Sequence, residues 1–222
     1  VDIPGTFHYY NLMYMEGHKL AARYEFAQNM GMRIKGGASR GYHQKSIRLI
    51  AREEYGDKNV NFSVFPDNLR QSDGEVVDKY KSFTLRSGAN DLLFAKIRDP
   101  YITNLTKGMR MDTAANMPVI AFINGEYWGV YTLNEEYTDK YIQYHYGMDD
   151  NNVIMVKCAE LEEGEESDFD LFLEMYDFIA WEDLEDPAVY AQACEMIDMD
   201  ALADLAAMHL YIYNKDGLFE NN

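Results

Sequence analysis

Cysteine is nearly absent: Cys158 and Cys194 are the only two in 222 residues. They form neither a metal-ligand spacing nor a disulfide framework, and they leave the redox compartment open. Proline is sparse, and no linker rich in Pro, Gly or Ser divides the chain. Internal repeats and low-complexity tracts are missing too. No run reaches about 18 apolar residues, which excludes a helical membrane span. The chain begins at Val1 without a methionine or a signal peptide. The expectation is a mature or trimmed product whose targeting information has been removed.

Positive charge is almost missing from the last third. Residues 149–222 hold 21 Asp and Glu against Lys157 and Lys215 alone. Residues 1–148 hold 17 acidic and 18 basic residues and are close to neutral. This asymmetry argues against nucleic-acid binding, which requires a basic face. It suits a basic protein partner or a divalent cation, or it marks solvated helix faces.

What is present describes a folded protein. Apolar residues make up 47% and aromatics 14%, enough for a sizeable core in one large domain or two small ones. The central stretch is GMRIKGGASRGYHQKSIRLI, residues 31–50. Two strand-like runs, 32–35 and 45–50, flank a loop with three glycines, Ser39, Arg40 and His43. Glycine lets backbone N–H groups approach an anion closely. Arg40, Lys45 and Arg48 add groups suited to phosphate or carboxylate. A plain hairpin with a long polar loop has the same pattern. Strand alternation puts Lys45 on one face with Ile47 and Leu49, pointing into a cleft or ending the strand in solvent.

Around this stretch the periodicities alternate. Residues 1–30 read as a lead-in strand and hairpin with a turn at Gly17-His18. Residues 51–80 read as an irregular excursion with one short strand at 62–64, and 80–86 as a strand. Helical spacing runs through 91–107, with Pro100 kinking or restarting it. Asp91, Arg98 and Asp99 fall near one helical face, either toward a ligand or as an intrahelical ion-pair cluster. Residues 118–137 are a hairpin about Asn124-Gly125. Glu135 and Glu136 end it, placed to pair with Lys45, to hold a metal or to enter solvent. A helix at 139–146 and a buried strand at 152–156 follow. Three helices come last: one with a capping-box variant at Ser167 and Asp170, one opening at Asp186-Pro187, one opening at Asp200. Their Met and aromatic stripes read as core, and His209 as a satisfied core histidine.

The chain ends in NKDGLFENN, residues 214–222. Asp216 and Asn221 have the spacing of the catalytic Asp and metal-binding Asn in protein kinases. Alone this pair is a weak signal. Here it follows a helical part, a strand lysine and a glycine-rich loop, in kinase-like order.

Four stretches together (31–49, 80–99, 119–142 and 214–222) resemble the spore-coat protein H (CotH) kinase family, atypical relatives of the protein kinases. The resemblance implies an α+β, protein-kinase-like fold. It implies a β-rich nucleotide-binding lobe over 1–157 and a helical, acidic lobe over 158–222. It also implies ATP- and Mg²⁺-dependent phosphorylation of Ser or Thr on an exported or coat-type protein, with a basic, Ser-rich protein as the candidate substrate. A secreted or spore-surface location follows from the same resemblance. Carried over by position, Arg40, Lys45, Arg48, Arg86 and Glu135 are the cofactor side. Lys45 and Asp216 are catalytic, and Asn221 with Asp216 holds the metal. The family continues to a further strand bearing metal-binding Asp residues, so the chain as given is expected to be incomplete or inactive. A non-catalytic binding or adhesion module on the same fold is the alternative. A carbohydrate-interacting domain, resting on the tyrosines and tryptophans, ranks below both.

Overall fold

Alternating apolar and polar residues build the sheet that organises the larger part of the molecule. The computed structural model describes residues 1–15, 19–157 and 159–214. Its main sheet is antiparallel, in the order β1-β2-β3-β6-β8-β7. The strands are β1 (Ile3–Met15), β2 (Lys19–Lys35), β3 (Ser46–Ile50), β6 (Ser82–Arg86), β7 (Asn116–Ile123) and β8 (Glu126–Glu135). Between β3 and β6, the short β4 (Val60–Asn61) pairs with β5 (Lys79–Tyr80). A sheet accompanied by five α-helices among the described residues is the expected α+β class.

Register decides what each sheet face carries. Leu49 lies opposite Phe83, and Arg48 opposite Thr84. Phe83 in turn faces Glu135, and Thr84 faces Asn134. One face is therefore apolar, with Met30, Leu49, Phe83 and Leu133 almost fully buried. The excursion between β3 and β6 covers it with Val64, Phe65, Val77 and Tyr80. Burying each such side chain stabilises the fold by about 1.5–3 kcal/mol. Cross-strand neighbours share a face, so Lys35, Ser46, Arg48, Thr84, Asn134 and Arg86 lie on the opposite, polar face.

The β7–β8 hairpin turns at Asn124 and Gly125, with φ of 53° and 82°. Both central residues of a tight hairpin need positive φ, which this dipeptide tolerates. Helix α2 (Asp139–Tyr146) follows β8. Thr138 caps it by accepting from Tyr141 N, and Gly147 ends it at φ 70°.

Several expectations are corrected. The short strand lies at Val60–Asn61, and Val64 and Phe65 are buried as loop. The helix expected over 91–107 is only α1 (Arg98–Leu105). Proline blocks the turn before it, so Pro100 fits only in the first helical turn. Residues 92–97 are irregular, and Leu93, Phe94 and Ile97 are exposed. The Gly17-His18 turn lies outside the described residues.

The chain forms two compact units. One comprises Val1–Ile102 with Ala114–Met148, the other Thr103–Thr113 with the described residues from 149 onward. The second unit holds a hairpin, β9 (Met155–Lys157) with β10 (Glu160–Glu163), and helices α3 (Glu166–Trp181), α4 (Pro187–Met196) and α5 (Met199–Tyr211). The strand expected to be buried at 152–156 is thus a half-exposed hairpin arm. Ser167 lies inside α3, whose N-cap Glu165 makes no side-chain capping bond, so there is no capping box. Asp186 caps α4 as expected, while α5 is capped by Asp198 and not opened by Asp200. Within these three helices only Ala193 is buried among the described residues, so their apolar stripes are not a closed core. His209 Nδ1 meets Asn214 Nδ2 at 2.9 Å. Cys194 is free and exposed.

Candidate functional site

Glu135, the last residue of β8, and Glu136, which follows it, point to opposite sheet faces, as successive side chains of an extended chain do. Glu136 enters the polar face and is 8% exposed. Its Oε2 accepts from Arg48 Nε at 2.6 Å and from Ser82 Oγ at 2.7 Å. Its Oε1 accepts from Lys35 Nζ and Thr84 Oγ1. Burial alone would lift this carboxyl, but the Arg48 and Lys35 charges outweigh burial and hold it below its ordinary range.

Glu135 enters the opposite face and is 7% exposed. It accepts from Asn68 Nδ2 at 2.9 Å and contacts His145 Nε2 at 2.8 Å. A carboxylate only accepts, so Nε2 is the protonated nitrogen. His145 stacks on Tyr141, with ring centroids 4.0 Å apart, and its carbonyl accepts from Ser72 N. This network ties α2 to β8 and to the excursion. Lys45 does not meet Glu135; its ammonium donates to the carbonyls of Arg40 and Tyr42, both at 2.7 Å.

The glycine-rich loop closes on itself. Arg40 Nε donates to the Gly36 carbonyl, and residues 38–41 form one 3₁₀ turn. Gly36 has φ 123°, and a Cβ there would lie 2.3 Å from Ser39 Oγ. Gln44 anchors the loop's exit, with Nε2 donating to the Val130 carbonyl at 2.9 Å and Oε1 accepting from Lys96.

The polar face continues beyond β6. Arg86 pairs with Asp99 in the first turn of α1. Buried Asp91 accepts from Arg98 N at 3.1 Å and lies 3.5 Å from its guanidinium, so it caps α1 and holds Arg98. Arg86, Gly88, Lys96, Arg98 and Thr132 line one shallow cavity with these carboxylates. On this face Lys35, Arg48, Arg86, Lys96 and Arg98 outnumber Glu136, Asp91 and Asp99 by two charges. In a chain of net charge −18, that local surplus favours an anionic ligand. The Oδ1 of Asn134, on the same face, is buried without a hydrogen-bond partner.

Of the residues expected from sequence, the structure brings Arg48 and Arg86 to this face. Arg40 and Lys45 stay on the loop, and Glu135 turns to the core side. Asp216 and Asn221 lie outside the described residues. Among the described residues no three of His, Cys, Asp and Glu gather as a metal site. Sequence reasoning missed Lys35, Lys96 and Gln44, and it named Glu136 beside Glu135 with Lys45 as the candidate partner where the structure has Lys35 and Arg48. Period-2 alternation already separated Ser46 and Arg48 from the Lys45, Ile47 and Leu49 set, and Glu135 from Glu136.

An antiparallel sheet with one cationic polar face, accompanied by helices, defines an α+β protein. Residues 32–222 match the family described as CotH kinase protein. The chain belongs to the CotH kinase family. No curated protein matches it.

Proposed function

We propose that this protein is an ATP- and Mg²⁺-dependent phosphotransferase acting on Ser or Thr of an exported or coat-type protein. The observation carrying this reading is the Arg86–Asp99 ion pair, which ties a central sheet strand to the helix that follows it. Protein kinases require a comparable pair, a strand lysine with a helix glutamate, for phosphoryl transfer. Here β6, α1, the β7–β8 hairpin and α2 follow in the corresponding order.

The residues of the polar face fit the anionic part of a nucleotide by charge and by donor type. Arg86, positioned by Asp99, would contact phosphate oxygens, with Arg48 and Lys35 beside it. Arg40 and Lys45 would stiffen the glycine-rich loop so that its N–H groups face the phosphates. Glu135 would brace the strand end through His145. Asp216 would accept the proton of the substrate hydroxyl, and Asn221 would hold the metal. Bound ATP with Mg²⁺ would supply the transferable phosphoryl group. On this reading residues 1–157 are the nucleotide lobe and 158–222 the helical lobe. The acidic surplus after residue 148 suits a basic, Ser-rich protein substrate at the cell or spore surface, and no nucleic acid.

The test is transfer from labelled ATP to a basic, Ser-rich protein. Arg86→Ala should lower the rate about 10²–10³-fold, as removal of a transition-state charge contact does. Asp216→Ala should abolish transfer. Equal rates for the parent and both variants would contradict the proposal.

A further inference from the structure

The family match begins at residue 32, so β1 and most of β2 lie outside the part shared with the family. Strand β1 closes one end of the sheet order and pairs only with β2 among the described residues. Its outer backbone edge therefore offers unpaired N–H and C=O groups along 13 residues, about 44 Å of strand at 3.4 Å per residue. Natural edges of this length are usually blunted by charge, by a bulge or by proline.

Strand β1 has little of this protection. Its sequence, IPGTFHYYNLMYM, contains no Asp, Glu, Lys or Arg, although a quarter of the chain is charged. Its one proline, Pro4, sits at the strand's start. The register shift in the hairpin skips Glu25 of β2, so the extra residue lies in the inner strand and the β1 edge stays regular. Residues 7–12 alternate cleanly. Phe7 and Tyr9 turn inward against Phe26, while His8, Tyr10 and Leu12 are exposed. The opposite edge strand, β7, is shorter and carries Pro118 within it.

We propose that the β1 edge pairs antiparallel with β1 of a second copy of this chain, joining two six-stranded sheets across a two-fold axis. A two-fold contact sets the same surface against itself. A charged strand would meet its own charge there, whereas an uncharged strand is complementary to itself. A partner recognised by charge would find nothing on β1 to read. This inference is independent of the phosphotransferase reading.

The test is sedimentation velocity across a concentration series of the whole chain. The parent protein should dimerise. His8→Lys with Leu12→Lys alters two exposed side chains lying opposite Ala27 and Ala22, and circular dichroism should show the fold intact. Like charges then face each other across the two-fold axis, and the dimer should weaken at least about tenfold. Mixing this variant with one carrying His8→Glu and Leu12→Glu should restore dimers made of one copy of each. A parent that stays monomeric throughout would overturn the proposal. So would a dimer that survives the lysine pair, or a mixture that fails to reassociate.

Discussion

At the scale of single residues, adjacency in sequence and adjacency in space part company at Glu135 and Glu136. Glu136 neutralises part of two cations on the polar face, whereas Glu135 satisfies Asn68 and His145 on the core side. Replacing Glu136 with Gln should cost about 2 kcal/mol at neutral pH, the scale of hydrogen bonds to a charged group. Its folded carboxyl titrates below the unfolded value of about 4.3. Its contribution is therefore complete above the ordinary glutamate range and is lost as pH falls through the lower, folded value. Melting temperatures of parent and variant should accordingly converge in acid, and a gap independent of pH would contradict this. Glu135→Ala removes the acceptor of buried His145 and half-buried Asn68 and should cost about 2 kcal/mol by denaturant titration. A loss below about 0.5 kcal/mol would show that water or a rearranged side chain replaces it.

At the scale of elements, glycine conformation and capping fix the geometry around the polar face. Gly129 has φ 111°, and a Cβ there would lie 3.1 Å from Gln44 Nε2. Gly125 has φ 82° with open space around it. Gly125→Ala should cost about 1 kcal/mol from backbone strain alone. Gly129→Ala should cost more, because it also presses on the side chain that links Val130 to Lys96. Equal costs in chemical denaturation would remove Gln44 from the account. The sequence made the Asn124-Gly125 hairpin, α2 and the Asp186-Pro187 start of α4 legible, since each depends on local chemistry, whereas the Thr138 cap of α2 emerged only in the structure. The shortened α1 was readable from Pro100, but the helical spacing of Leu92, Ala95 and Ile97 pointed to a longer helix, and Ala95 and Ile97 are exposed. Lys45 owes its expected role to its place in a motif. It starts just before β3, where loop carbonyls capture its ammonium. The Lys35–Glu136 pair joins residues 101 positions apart, and only the strand order brings them together.

At the scale of the whole molecule, charge is divided as the sequence shows, with a near-neutral first part and an acidic remainder. Within the first compact unit the sheet concentrates a positive surplus on one face, so net charge and local charge have opposite signs there. Such a face should bind a polyanion with marked salt dependence. Nucleotide affinity should fall severalfold between 50 and 300 mM salt, and insensitivity to salt would argue against the cationic face as the site. The most direct measurement is calorimetric titration of ATP·Mg²⁺ into the parent protein and into Arg86→Ala, with Asp99→Asn alongside. The account predicts saturable binding by the parent, weakened at least tenfold by Arg86→Ala and less by Asp99→Asn. Binding unchanged in both variants, or no heat of binding in any of the three, would contradict the claim that this face holds the nucleotide.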